Sequence, residues 1–164
     1  RRHGLVPALA EGDGDMAGTV FDRLNPVMHA RSRSEAERYR IEPYAVAGDI
    51  AGYPPYEGRG GWSWYTGAAG WTWRLAVEHM LGLRLVDSDL EISPCLPKAW
   101  KSYRARVEGP RGTLDITVDN SDGVGAGEVE ITVDGACQAG NVVKFPSNDA
   151  TARVEVRIAG PRPS

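Results

Sequence analysis

Near residue 84 the hydrophobic pattern of this 164-residue chain changes period, and that change limits the fold more than any other feature. Upstream, apolar residues recur at helical spacing. Downstream they alternate, so that every second side chain would face one side of a sheet. Segments 90–92, 103–108, 113–119, 128–133, 142–145 and 153–158 all read as strands. The runs Asp115-Ile116-Thr117-Val118-Asp119 and Glu128-Val129-Glu130-Ile131-Thr132-Val133 alternate without a break, and Asp122-Gly123 and Asp134-Gly135 supply turns. Short strands divided by turn signals predict an antiparallel β-sandwich. The expected division is 1–83, helical, and 84–164, strands.

The helical half reads as a series of short pieces. Met16, Val20, Phe21 and Leu24 lie on one face of a helix over 15–24, which Asn25-Pro26 ends because proline cannot continue the hydrogen-bond ladder. Ser32-Arg33-Ser34-Glu35 matches a capping box for a helix running to Arg40. Pro43 suits the first turn of a further helix through Ala51. After a Gly/Pro-rich loop over 52–63, Thr66 is placed to cap a helix with Ala69, Trp73, Ala76, Val77, Met80 and Leu81 on one side, and Gly82 to close it. These pieces offer no partner for one another's apolar faces. The expectation is that they are the end of a larger helical domain.

Charge and cysteine content narrow the function classes. A net charge of −3 without a basic block argues against a nucleic-acid surface. Cys95 and Cys137 stand alone, without metal-ligand spacing, and read as reduced thiols of a cytoplasmic protein. No apolar run is long enough to span a bilayer, and no signal peptide is evident. No metal or cofactor is expected.

Residues 58–73 carry the chemistry. Four of the five tryptophans fall between Trp62 and Trp73, interleaved with glycines and hydroxyl side chains. Indole faces pack on the C–H face of a pyranose while sugar hydroxyls are hydrogen-bonded at the rim. Thr66 and Gly67 open a helical pattern, where backbone N–H groups and the helix dipole favour an anion. One stretch therefore offers a sugar platform and an anion seat.

Four blocks, in this order, carry a family resemblance: Leu24-Asn25-Pro26-Val27-Met28-His29-Ala30, then Arg38-Tyr39-Arg40-Ile41-Glu42-Pro43-Tyr44, then the glycine- and tryptophan-rich run from Gly58 to Trp71, and finally Pro94-Cys95-Leu96-Pro97-Lys98-Ala99-Trp100. With them the chain resembles the C-terminal part of the inverting glycoside phosphorylases of glycoside hydrolase family 94, formerly classed as glycosyltransferases. The likeness is strongest to the branch acting on β-1,2-glucans, which includes the C-terminal module of cyclic β-1,2-glucan synthases. It implies the last helices of an (α/α)6 barrel followed by a β-sandwich. It also implies phosphorolysis of a β-glucosidic bond with inversion, giving an α-sugar 1-phosphate, with inorganic phosphate as co-substrate. The partners it implies are a β-glucan oligosaccharide, the N-terminal part of the barrel and, compatibly, a second copy in a homodimer. A place as the cytoplasmic module of an inner-membrane synthase fits as well. The family's proton donor, an aspartic acid, lies upstream of the matching blocks, so no catalytic residue is assigned here and the chain alone is expected to be inactive.

The resemblance assigns Thr66 and Gly67 to phosphate; the plainer reading of Thr66 is a helix cap. Trp62, Trp64 and Tyr65 line a sugar site or pack between helices and sandwich. Glu42 hydrogen-bonds sugar hydroxyls or caps a helix, and Arg59 is a site residue or a loop cation. Where cellobiose-type members carry a sugar-contacting Gln, this chain has Gly48 beside Asp49, which favours the β-1,2 branch. His3 is the nearest candidate for a family phosphate histidine, although its context does not match. His29 reads as a turn residue, His79 as a packing or surface residue of the last helix, and Trp71 and Trp73 as packing residues of it. A carbohydrate-binding or structural module without catalysis is the competing reading; binding of glucan without phosphate distinguishes it.

Overall fold

The computed structural model describes residues 9, 11–64 and 67–159. Helix α1 spans Gly14–Leu24, with the Asp13 carboxylate accepting from the Met16 N–H as N-cap. Asn25 closes it and caps a 3-10 turn, Pro26–His29. Helix α2, Arg33–Tyr39, carries the full capping box: Ser32 and Glu35 satisfy each other's backbone N–H, and Arg40 leaves the helix in the left-handed conformation. Helix α3, Ala68–Arg74, runs into a π-helical turn, Leu75–Met80, and stops at Gly82, whose φ is +71°.

The expected helix from Pro43 to Ala51 does not form. After one turn closed by the Ala45 N–H on the Glu42 carbonyl, Gly48 donates to the Trp62 carbonyl and Ile50 bridges Gly60. Pairing with the glycine-rich loop takes the backbone groups a helix would have used. The expected cap at Thr66 lies outside the described residues, and Gly67 occupies the cap position of α3 without a side-chain bond.

Strands follow from Leu83 onward: β1 Leu83–Val86, β2 Asp89–Ile92, β3 Ser102–Glu108, β4 Gly112–Asp119, β5 Glu128–Val133, β6 Ala136–Gln138, β7 Val142–Lys144 and β8 Ala150–Ala159. They form a three-stranded sheet, β1-β2-β7, and a five-stranded one, β3-β4-β8-β5-β6. A single core draws Leu90, Ile92, Val143 and Leu83 from the first sheet and Leu114, Ile116, Val118, Ile131, Val154, Val156 and Ile158 from the second. β1 and β6 escape the sequence pattern, since β1 exposes Leu85 and Val86 and β6 has only three residues. One pairing departs from the antiparallel expectation: β8 lies parallel to β4, from Gly112 beside Ala150 to Asp119 beside Arg157. Alternation fixes which face of a strand is buried, not its direction; the direction follows from the connection through β5, β6 and β7.

The segment 93–98 joins the helices to the sheets. Gly14 and Gly18 sit one turn apart on α1, and a Cβ on Gly14 would lie 2.0 Å from the Leu96 carbonyl oxygen, one on Gly18 2.6 Å from Pro97 Cγ. Asp15 accepts from the Lys98 N–H at 2.8 Å. Gly82 packs equally tightly on Ser93. Half-buried Tyr103 donates its hydroxyl to the Leu81 carbonyl at the end of the π turn; desolvation pushes its pKa above the usual phenol range. Asn120, the one buried polar side chain among the described residues, ties 97–100 to 125: its amide donates to the Trp100 carbonyl at 2.7 Å and its oxygen accepts from the Gly125 N–H at 2.9 Å.

Replacing Asn120 with Ala orphans those backbone groups. Each unsatisfied buried group costs ~1–3 kcal/mol, so the loss expected is ~2–4 kcal/mol. Denaturant unfolding of Asn120→Ala with an unchanged midpoint would show that the loop does not depend on it.

Candidate sugar site on the glycine–tryptophan loop

Two stretches, 48–51 and 58–62, clasp each other without forming a regular hairpin. Gly48 donates to the Trp62 carbonyl at 2.6 Å, Ala51 to Arg59 at 2.9 Å and Gly61 to Asp49 at 2.9 Å. The Asp49 carboxylate also accepts from the Trp62 N–H at 3.4 Å. α2 supports the clasp from below: the Tyr39 carbonyl accepts from Gly60 N–H, and the buried Tyr39 hydroxyl donates to Ala45. His29 stacks on the Tyr39 ring at 5.0 Å and bonds the Arg23 carbonyl, which is the turn role expected of it.

The glycines of this loop have local causes. Gly58 has φ +81°. A Cβ on Gly60 would lie 2.4 Å from Ile41 Cδ1, and one on Gly61 2.2 Å from an Asp49 carboxylate oxygen. Gly67 differs. Its φ is −72°, open to any residue, and the nearest atom to an added Cβ is Trp71 Cδ1 at 3.4 Å. Nothing within the described residues requires glycine at 67.

Above the clasp the structure gathers Glu42, Ser63 and Trp64. The Glu42 carboxylate accepts from its own backbone N–H and from the Trp64 and Ser63 side chains, and these bonds hold its pKa below the ordinary glutamate value of 4.5. Trp64 has φ +69°, an uncommon and costly conformation for a bulky residue. Its bond to Glu42 and its edge-on contact with Tyr44 at 6.1 Å hold it there. Trp62, Trp64 and Tyr44 are 63%, 70% and 69% exposed, so three aromatic rings stand open to solvent around a fixed carboxylate. Glu42 does not cap a helix, because none follows it. Packing between helices and sheets does not account for Trp62 and Trp64 among the described residues.

The remaining predicted residues disperse. The Arg59 guanidinium lies 5.6 Å over the Tyr56 ring, in a groove that Arg38 and Arg40 also line. Tyr65, Thr66 and His3 lie outside the described residues. Trp71 and Trp73, expected to pack, are 65% and 60% exposed, since no described element covers that side of α3; of the expected apolar face, Val77, Met80 and Leu81 turn inward. His79 is exposed on the π turn. Both cysteines are free. No group of three or more metal-binding side chains occurs among the described residues, and no described helix is long and apolar enough to cross a membrane. Tyr44, Ser63 and Asp49 are site residues that sequence reasoning did not assign. Tyr44 adjoins Glu42-Pro43, but only the clasp brings that segment to Ser63 and Trp64.

Because the Glu42 pKa is depressed, its contribution to this geometry is complete at neutral pH and is lost as pH falls through the folded-state value. A titration of tryptophan fluorescence is expected to show an acid transition below pH 4.5 that disappears in Glu42→Gln. An identical transition in that variant would remove Glu42 from its assigned place.

Residues 6–82 match the family model of the glycosyl hydrolase 94 superfamily, catalytic domain. The chain is 46% identical over 121 residues to the cyclic beta-(1,2)-glucan synthase NdvB of Rhizobium meliloti, an alignment covering 73% of this chain and 4% of that protein. It is 32% identical over 126 residues to the N,N'-diacetylchitobiose phosphorylase of Vibrio furnissii, covering 76% of this chain and 15% of the relative. With the solabiose phosphorylase of Paenibacillus borealis the figures are 28% over 153 residues, 93% and 20%. The chain thus spans a fifth or less of the length of these relatives.

Proposed function

The chain belongs to the glycosyl hydrolase 94 family, and we propose from that premise that it forms the phosphate-side wall of a glycoside phosphorylase or transferase site acting on β-linked glucans. The observation that carries this reading is the contrast among the loop glycines. Gly58, Gly60 and Gly61 are accounted for by local backbone or packing, whereas Gly67 is not. A missing Cβ at a helix start lets an oxyanion approach the backbone N–H groups. That agrees with the family assignment of Thr66 and Gly67 to phosphate.

In this mechanism the sugar rests against Trp62, Trp64 and Tyr65, with its apolar face on an indole and its hydroxyls toward Glu42. An ionised Glu42 accepts hydrogen bonds, so it orients hydroxyls and does not protonate the leaving oxygen. Phosphate held at Thr66 and Gly67 attacks the anomeric carbon from the face opposite the leaving group, and the product is α-glucose 1-phosphate. The division of labour is that of an inverting glycosidase with phosphate replacing water. The proton for the leaving oxygen comes from an acid outside these 164 residues. A β-1,2 linkage is favoured by Gly48 and by the likeness to a cyclic glucan synthase.

Two substitutions in the full-length protein test the phosphate seat. Gly67→Ala adds a methyl group that the fold accommodates, so stability is expected to shift by less than ~1 kcal/mol. The KM for phosphate is expected to rise at least tenfold. Thr66→Val keeps the shape and removes a charge-assisted hydrogen bond, with an expected loss of ~1–3 kcal/mol in phosphate use. Unaltered phosphate kinetics in both variants would refute the assignment. The isolated chain is expected to release no glucose 1-phosphate, since proton transfer to the leaving group contributes ~10²–10⁴-fold; phosphate-dependent release by the fragment would place the acid within it.

A further inference from the structure

On the flank of the clasp, Arg38, Arg40 and Arg59 line a groove of about 300 Å³ together with Tyr56, Glu37 and Glu57. Positive charge prevails there. Glu37 is turned to Arg33 at 2.8 Å, and no ion pair engages Arg38, Arg40 or Arg59 among the described residues. Arg59 lies over the Tyr56 ring, and Tyr56 is itself braced edge-on by Tyr53 at 6.0 Å. Arg38 is held by its stem, which lies against Gly58; a Cβ there would come within 2.9 Å of Arg38 Cδ. Arg40 is set by the left-handed backbone that ends α2. Three arginines thus line one groove with Glu57, which no ion pair engages among the described residues. Guanidinium forks match the planar oxygens of a carboxylate or phosphate.

We propose that this groove is a subsite for an acidic saccharide, one whose sugar carries a carboxylate or phosphate ester. The inference rests on the sugar-site reading above, because the groove and that site share one loop. Three residues of chain separate Arg59 from Trp62, a reach of at most ~11 Å. A glycan laid along the loop therefore meets the tryptophans and the guanidinium groups together. A free anion would need only the charge; the shared loop and the aromatic wall favour an anion borne by a sugar.

The test is calorimetric titration of the full-length protein with sodium glucuronate, against glucose as the neutral control. Glucuronate is expected to bind at least tenfold more tightly, and more weakly in 0.5 M salt than in 0.05 M, as charge pairing at a surface requires (the salt levels are roughly chosen to span the screening range). Arg40→Asn removes one cation at a left-handed position that asparagine tolerates, and Arg38→Gln removes a second. The double variant is expected to lose the preference for glucuronate while its kcat/KM on an uncharged glucan and its Tm stay as they were. Equal binding of the two sugars, or a preference that survives in a folded double variant, would overturn the subsite. Displacement of glucuronate by equimolar inorganic phosphate would overturn its assignment to a saccharide. Loss of phosphorolysis in Gly67→Ala with glucuronate binding intact supports both sites; glucuronate binding in a protein that lacks any phosphate-dependent activity supports the groove and refutes the phosphorylase reading alone.

Discussion

The attachment of the helices to the sheets depends on how closely α1 and the end of the π turn approach the segment 93–98. At Gly14 the helix backbone comes so near the Leu96 carbonyl that no side chain fits, and Gly82 meets Ser93 in the same way. Close approach of this kind excludes water and leaves few alternative arrangements, because a packed contact cannot be adjusted by small amounts. Asp15 on the Lys98 N–H and Tyr103 on the Leu81 carbonyl then add directional bonds on either side. The helices are fastened to the sheets by backbone contact more than by a large shared core. Among the described residues, only Ala17 and Met80 are buried in the helical cluster, against fourteen in the cluster of the sheets.

The loop over 58–64 is built on a different principle. Its glycines allow two irregular stretches to pair, and the pairing lifts Trp62 and Trp64 out of the core instead of into it. Trp64 is held in an unfavourable backbone conformation by a hydrogen bond to Glu42. Backbone strain at an exposed aromatic residue is a feature that clusters at binding surfaces. The same loop carries Arg59, which lines a groove with Arg38 and Arg40. One short segment thereby presents an aromatic face and a cationic groove.

Helix α1, the capping box of α2, the turn at Gly82 and six of the strands were legible from residue types alone, since each rests on a local rule: a cap, a period, a turn residue. The family was legible too, from four blocks in order. The helix expected after Pro43 was not, because the competing partners of its backbone, Trp62 and Gly60, lie well beyond the reach of a helical turn. Arg59 was read from its neighbours in sequence as a site residue or a loop cation; its contact with the Tyr56 ring was not legible there. Tyr44 and Ser63 lay within the family blocks and Asp49 beside Gly48, but no local signal showed that the three would come together.

By itself the sequence determined the switch from helices to strands, the buried face of most strands, and the presence of an aromatic, glycine-rich loop. These are consequences of short-range sterics and of hydrophobic period, which act within a few residues. Only the tertiary structure decided that β8 runs parallel to β4, that Glu42 meets Trp64, and that three arginines share a groove. Such facts depend on contacts between distant segments, whose relative placement is set by the whole packed chain and not by any stretch of it.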